Sequence, residues 1–154
     1  MTSETGNVEV IERLYGAFGR GDGDTMATCY HPEAHFSDPV FPDLNGPEVM
    51  KMWRTLLTRS DDLAITLGDR AAEGDHGSAH WTARYTFSST GRKVTNEVDA
   101  EFEFRDGLIV DHRDSFDFWK WSRMALGTPG LLLGWSPMLK KKVRAQSALL
   151  LQTG

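Results

Sequence analysis

The sequence is poor in several features that would each point to a particular class of protein. Its 154 residues include one cysteine, Cys29, so no disulfide can form within the chain, and a reducing cytoplasm is the expected compartment. No apolar run approaches the roughly 20 residues that a membrane-spanning helix needs. The first residues also lack the basic and apolar regions of a signal peptide. We therefore expect a cytoplasmic protein.

Positive charge is scarce overall and is concentrated towards the end of the chain. The formal net charge is −5, which argues against a nucleic-acid-binding protein. From Trp119 onwards, however, the chain has six basic residues and no acidic one. The segment KKKVRAQSALLL could dock on the acidic body, where it would cover a cavity or form a dimer contact, or it could lie on an anionic membrane.

Motifs for cofactor or metal binding are also missing. No Gly-rich phosphate-binding loop follows a predicted strand, so we expect no nucleotide cofactor. His31 and His35 are four residues apart, but Pro32 between them breaks helical geometry. His76 and His80 lie on a predicted strand, where this spacing leaves the side chains too far apart to share one ion. We therefore predict neither a metal nor a cofactor.

The order of hydrophobic patterns predicts helices first and strands afterwards. Apolar residues at helical spacing indicate three helices, at residues 8–20, after residues 22–24, and from 47 to about 59. Four runs of strand character follow, at residues 63–67, 77–87, 92–105 and 108–118. Asp106-Gly107 is a hairpin signal between the last two. This order predicts an α+β fold, in which helices cover one face of a curved antiparallel sheet.

Four segments of the chain resemble those of a known fold: LYGAFGRGD, YHPEAHFSDP, HWTARYTF and FRDGLIVDHRDSFD. The chain resembles the nuclear transport factor 2-like fold, and within it the SnoaL-like, limonene-epoxide-hydrolase-like and ketosteroid-isomerase-like proteins. The resemblance covers residues 8–126. It implies a cone-shaped cavity between the curved sheet and the helices, and a homodimer. We accordingly assign residues 1–126 to a SnoaL-like cavity domain, and residues 127–154 to a C-terminal loop and helix that pack on it.

The stretch HFSDPVF places a carboxylate among apolar residues. Asp38 could cap local N–H groups in a turn before Pro39, or it could face an apolar cavity. The resemblance favours the cavity, since an Asp in this context is the general base of ketosteroid isomerases. The positions that match the oxyanion donors of those enzymes hold Leu14 and Ala100, which cannot donate a hydrogen bond. Tyr15 is adjacent to the first of them.

Alternation along the strands groups Arg84 with Thr86 on one face and His112 with Asp114 on one face. The resemblance to epoxide hydrolases aligns Arg84 with their arginine and Asp114 with the acid of their last strand. That acid position also resembles the general base of SnoaL-like cyclases, while Thr86 replaces the second acid. If both of these faces lie on the concave side of the sheet, Arg84 reaches Asp114 and Asp38, and the two carboxylates titrate as a coupled set. A purely structural bridge between Arg84 and Asp114 is the alternative.

Together these residues predict cofactor-free acid–base chemistry on a largely apolar small molecule. The candidate catalytic residues are Asp38, Arg84 and Asp114, and the candidate pocket residues are Tyr15, Phe36, Trp53, Thr86 and His112. The reaction would be epoxide hydrolysis, isomerisation or aldol-type cyclisation. The alternative is a binding or interaction module that uses the same cavity without chemistry. We expect an apolar ligand and a homodimer, and neither a nucleic-acid nor a membrane partner.

Overall fold

The computed structural model describes residues 4–128, 130 and 137–153 of the chain. Its elements follow the predicted order except that two strands precede the third helix. Its helices are α1 (Glu4–Gly19), α2 (Gly23–Ala27), α3 (Pro47–Arg59), α4 (Phe118–Leu126) and α5 (Pro137–Thr153). Its strands are β1 (Tyr30–Ser37), β2 (Leu44–Asn45), β3 (Ala64–Glu73), β4 (His76–Phe87), β5 (Arg92–Arg105) and β6 (Leu108–Ser115). The α+β prediction is confirmed. Most of the loop predicted before the last helix, residues 131–136, lies outside the described residues.

The strands form one curved, open sheet in the order β2-β1-β6-β5-β4-β3. Strands β3 to β6 are the predicted antiparallel meander. The turn between β5 and β6 has positive φ angles of 54° at Asp106 and 78° at Gly107, as a two-residue hairpin turn requires. Strand β1 pairs in parallel with β6 and brings Ser37 beside Arg113. An aspartate follows each residue of this pair: Asp38 comes after Ser37, and Asp114 comes after Arg113.

Strand β3 forms one edge of the sheet and contains a bulge. Leu67 pairs with Trp81 and Arg70 pairs with Ala79, so two residues of β3 lie opposite the single residue His80. One of the two is Gly68, where an added Cβ would lie 3.1 Å from the carbonyl oxygen of His80. The close approach of the two backbones therefore favours glycine at this position.

Alternation along β4 decides which side chains face the interior. Ala79, Trp81 and Ala83 are buried against the helices, whereas Arg84 is exposed on the opposite face. The same rule places His112 and Asp114 of β6 inside. The concave face and the helices α1 and α3 thus enclose the main core of the domain.

Helix α5 packs on the same body. Val143 belongs to a buried cluster with α4 and β5, and Leu151 belongs to the main core. Arg144 donates a hydrogen bond from Nε to the carbonyl oxygen of Pro39 at 2.8 Å. Neither α5 nor any other helix of the described residues is both long and apolar enough to cross a membrane.

Candidate active site

A cavity of about 310 Å³ lies between the concave face of the sheet and helices α3, α4 and α5. Its wall is largely aromatic and includes Phe18, Phe41, Trp53, Trp81, Phe87 and Trp121. The side chains of Asp38, Tyr85 and Asp114 interrupt this apolar lining. A mainly apolar cavity of this size with a few converging polar groups is typical of a small-molecule site.

Asp38 both stabilises a turn and lines the cavity, the two roles that its sequence context left open. Its Oδ1 accepts hydrogen bonds from the backbone N–H of Val40, at 2.7 Å, and of Phe41, so the carboxylate shapes the turn. The same side chain lines the cavity. Burial raises the pKa of Asp38 from 3.8 to about 7; the charge of Asp114 also raises it, and the turn N–H groups oppose the shift. Asp38 can therefore hold or release a proton near neutral pH.

Asp114 is the end of a buried chain of hydrogen bonds. Its Oδ1 lies 2.7 Å from Nε2 of His112, and Nδ1 of His112 lies 2.8 Å from the hydroxyl of Tyr30. The indole N–H of Trp53 donates to the same hydroxyl oxygen at 3.0 Å. The chain joins α3, β1 and β6, and it anchors the Asp114 carboxylate in the wall of the cavity.

The partners in this chain determine the tautomer of His112. An indole N–H can only donate, so the Tyr30 oxygen accepts from Trp53 and its own hydrogen is available to Nδ1 of His112. His112 is then neutral, with its proton on Nε2, and donates to Asp114. Every donor in the chain has an acceptor in this arrangement.

Tyr85 supplies a hydroxyl group on another part of the cavity wall. The indole N–H of Trp121 donates to its oxygen at 2.8 Å, and the phenol hydrogen has no acceptor among the described residues. Burial raises the pKa of Tyr85, and the charge of Asp38 raises it further, so the phenol keeps its proton. A protonated phenol with a free hydrogen is suited to stabilise a negatively charged oxygen on a bound ligand.

Several other polar side chains line the cavity, and one of them, Arg59, is charged. The inward side chains of β5 are apolar except Asn96, whose amide lines the cavity. Ser60 lines it too, and its hydroxyl has no hydrogen-bond partner among the described residues. Over the same residues, no group of three His, Cys, Asp or Glu side chains is arranged to hold a metal ion.

The family model of the SnoaL-like domain matches residues 11–112 of the chain. The chain belongs to the SnoaL-like family. The comparison with curated proteins found no match. The SnoaL-like assignment agrees with the resemblance seen in the sequence, and the matched residues include most of those that line the cavity.

Several solved structures share the fold of this SnoaL-like chain at low sequence identity. TsrD from Streptomyces laurentii is 24% identical, with a TM-score of 0.70 over 80% of this chain and 97% of its own. IdmH from Streptomyces antibioticus, a candidate polyketide cyclase, is 24% identical, with a TM-score of 0.67 over 79% and 99%. An LEH-like epoxide hydrolase from M. tuberculosis is 20% identical, with a TM-score of 0.68 over 88% and 96%. These likenesses establish the fold alone.

The predicted pairing of Arg84 with Asp114 in this SnoaL-like domain is wrong. Arg84 is exposed on the outer face of the sheet, and its guanidinium group is 3.4 Å from the hydroxyl of Thr66. Strand alternation sends Ala83 and Tyr85 inwards instead. The cation whose charge acts on Asp38 is Arg144 of α5.

The predicted pocket residues of the SnoaL-like domain divide into two groups. Trp53 and Thr86 line the cavity, and the Thr86 hydroxyl donates to Asp62 at 2.6 Å. Tyr15, Phe36 and His112 do not line it: each is at most 3% exposed and belongs to the packing behind the wall. These three residues therefore contribute no surface to the cavity, although His112 acts on the site through its bond to Asp114.

The residues that complete the hydrogen bonding of the site were not predicted from the sequence. Tyr85 and Tyr30 were not among the candidates, and neither was Trp121, the partner of Tyr85. A signal for Tyr85 was present, because the alternating set Trp81, Ala83 and Tyr85 is the apolar face of HWTARYTF. Nothing local in the sequence pairs Tyr30 with a residue 82 positions away.

Proposed function

We propose that this SnoaL-like protein catalyses proton transfer at a carbon next to a carbonyl group of a largely apolar small molecule, without a cofactor. Isomerisation and aldol-type cyclisation are the reactions of this kind. The observation that supports the proposal most is that Asp38, which titrates near neutral pH, and Tyr85, a hydrogen-bond donor, line one apolar cavity. The two groups are coupled electrostatically, since the charge of Asp38 raises the pKa of Tyr85.

In the proposed reaction, ionised Asp38 takes a proton from the carbon next to the carbonyl group. The electron pair of the broken C–H bond moves to the carbonyl oxygen, which becomes an enolate and accepts a hydrogen bond from the Tyr85 phenol. In an isomerisation, protonated Asp38 then returns the proton to a different carbon. In an aldol-type cyclisation, the enolate carbon attacks a second carbonyl group, and the proton goes to the new alkoxide. A base with a pKa near the working pH suits both directions of this transfer.

Asp114 has a separate role in the proposal. His112 donates to Asp114 and orients it, and the negative charge of Asp114 raises the proton affinity of Asp38. Asp38 and Asp114 are thus two carboxylates in different environments, as in enzymes that divide acid and base roles between such a pair. Burial and the charge of Asp114 together keep Asp38 basic enough to take a proton from a C–H bond.

The position of Arg84 favours this chemistry over epoxide hydrolysis. The hydrolase resemblance predicted an arginine between two carboxylates inside the cavity, but Arg84 is exposed on the outer face. At the inward positions beside it, β4 carries a methyl group, Ala83, and a phenol, Tyr85. A phenol that can stabilise an oxyanion fits enolate chemistry directly.

Hydrogen–deuterium exchange into enolisable ketones tests the proposal. The probes are 1-tetralone and 2-tetralone in D2O, followed by proton NMR, with Asp38→Asn as the test variant. Asp69→Asn is the control, because Asp69 is an exposed carboxylate on the edge strand β3. We expect the wild type and the control to exchange the protons next to the carbonyl at equal rates, and Asp38→Asn to lose at least about 10²-fold.

Two other results would count against this function. Equal exchange in Asp38→Asn and Asp69→Asn would remove Asp38 as the base. Binding of the ketones, measured by quenching of tryptophan fluorescence, without exchange in the wild type would favour the binding-module alternative. Trp53, Trp81 and Trp121 in the cavity wall make such binding measurable.

A further inference from the structure

We infer that Arg144, on the C-terminal helix α5, is a positioning residue that holds the Asp38 turn and supplies the positive charge beside it. This inference rests on the proposed function, in which Asp38 is the base. It gives the C-terminal helix a part in the chemistry in addition to its part in closing the cavity.

The contact between the helix and the turn is direct. Nε of Arg144 donates to the carbonyl oxygen of Pro39 at 2.8 Å, in a partly buried position. Pro39 is the residue after Asp38, so the bond fixes the peptide that leads from the carboxylate into the turn. A hydrogen bond from a charged guanidinium group is stronger than one between neutral groups.

The helix places Arg144 at the edge of the cavity. Its neighbours Val143, Gln146 and Ser147 line the cavity, as does Leu151 one turn further on. Arg144 itself lines a second, adjoining hollow of about 290 Å³, which shares Val40, Phe41 and Leu151 with the first. The guanidinium group therefore lies at the wall between the two, on the side where the Asp38 turn runs.

Arg144 lacks the partner that other arginines of this protein have. Arg54 pairs with Asp24 at 2.9 Å, and Arg70 pairs with Glu12 at 2.6 Å. Within the described part of the chain, no carboxylate lies within 4 Å of Arg144, and its hydrogen bond goes to a backbone carbonyl. Its charge is thus not neutralised by a salt bridge and acts on the nearby Asp38 carboxylate.

Two charged side chains act on Asp38 from the elements around it, and the N–H groups of Phe41 and Val40 act on it from its own turn. Burial is the largest influence and raises the pKa of Asp38; Asp114 of β6 raises it as well, and Arg144 of α5 lowers it. Tyr85 of β4 faces the same carboxylate as a neutral phenol. Arg144 therefore adds to the two turn N–H groups in opposing burial and Asp114, and so favours the ionised form of Asp38.

The test is the titration of Asp38 by carbon-13 NMR in the full-length protein labelled at the aspartate carboxyl carbons, with the signal assigned by its loss in Asp38→Asn. The variants are Arg144→Gln, which keeps a donor for the Pro39 carbonyl but removes the charge, and Arg144→Lys, which keeps the charge. Lys141→Gln is the matched control, since it removes one exposed positive charge from the same helix. We expect the Asp38 midpoint to rise by about 0.5 unit or more in Arg144→Gln and to stay near the wild-type value in the other two.

The same shift should appear in the pH dependence of ketone exchange. The rising limb, which reports ionisation of the base, should move to higher pH in Arg144→Gln and return in Arg144→Lys. An unchanged midpoint in Arg144→Gln, or an equal shift in Lys141→Gln, would overturn the inference. The titration needs no substrate, so a shifted midpoint without exchange in any variant would refute the proposed reaction and leave the coupling of Arg144 to Asp38 established.

Discussion

Replacing Asp38 by asparagine separates the turn-forming role of this residue from its ionisation. The amide oxygen can accept the same hydrogen bonds from the N–H groups of Val40 and Phe41, so the turn is kept, but the side chain cannot ionise. In the wild type, burial makes the ionised form costly in the folded state. The substitution should therefore change how stability depends on pH.

The size of the effect follows from the pKa. A rise from 3.8 to about 7 means that the folded protein binds the proton more tightly than the unfolded chain does. The contribution of Asp38 to the free energy of unfolding therefore falls as the pH rises from about 4 to about 7, and is constant above that. A change from pH 5 to pH 8 crosses the upper part of this interval, from pH 5 to about pH 7, which is about two pH units. At 1.36 kcal/mol per unit, the free energy of unfolding falls by about 2 to 3 kcal/mol.

Urea unfolding of the wild type and Asp38→Asn at pH 5 and pH 8 measures this difference. We expect the free energy of unfolding of the variant, relative to that of the wild type, to rise by about 2 to 3 kcal/mol from pH 5 to pH 8. Other titrating groups are common to both proteins and cancel, and equal m values would show that the unfolded states are comparable. If the difference between the two proteins is the same at both pH values, Asp38 ionises as in a free peptide, and its role as a base at neutral pH is refuted.

Three further substitutions test the other parts of the site. Tyr85→Phe should lower ketone exchange by about 10²-fold with little change in ketone binding by fluorescence, because the hydroxyl is needed only when negative charge develops; unchanged exchange would remove Tyr85 from this role. Tyr30→Phe should lower the free energy of unfolding in urea by about 1 to 3 kcal/mol, because Nδ1 of His112 and the Trp53 N–H lose their partner in the core; a negligible change would show that the chain is not formed. Arg84→Gln should change stability by less than about 0.5 kcal/mol and leave exchange intact; loss of exchange would restore the arginine–carboxylate model.

The regular part of the fold was predictable because its signals are local. The strand predicted at residues 92–105 is β5 with the same bounds, Arg92–Arg105, and the Asp106-Gly107 turn after it is formed. Strand β1 is not among the four runs predicted as strands, because it contains Pro32 and lacks clear alternation. Its parallel pairing with β6 joins residues more than 70 positions apart, and no local pattern encodes such a contact.

The site was predictable only in part, for a similar reason. Alternation defines two faces of β4, and the family resemblance led us to place the face of Arg84 inside. The physical signal indicated the reverse, because Trp81, Ala83 and Tyr85 are apolar whereas Thr82 and Arg84 are polar. The contact between Arg144 and Pro39 spans 105 residues, and only the folded structure brings them together.

The bulge in β3 has a consequence for the behaviour of the protein at high concentration. A ten-residue strand at the open edge of a sheet offers unpaired backbone groups to which a strand of another molecule can add. In β3, Gly68 and the charged Asp69 interrupt the regular ladder near its middle, so neither half is long enough to recruit a full strand. The irregularity at this edge thus disfavours edge-to-edge pairing with another molecule, and it involves no residue that lines the cavity.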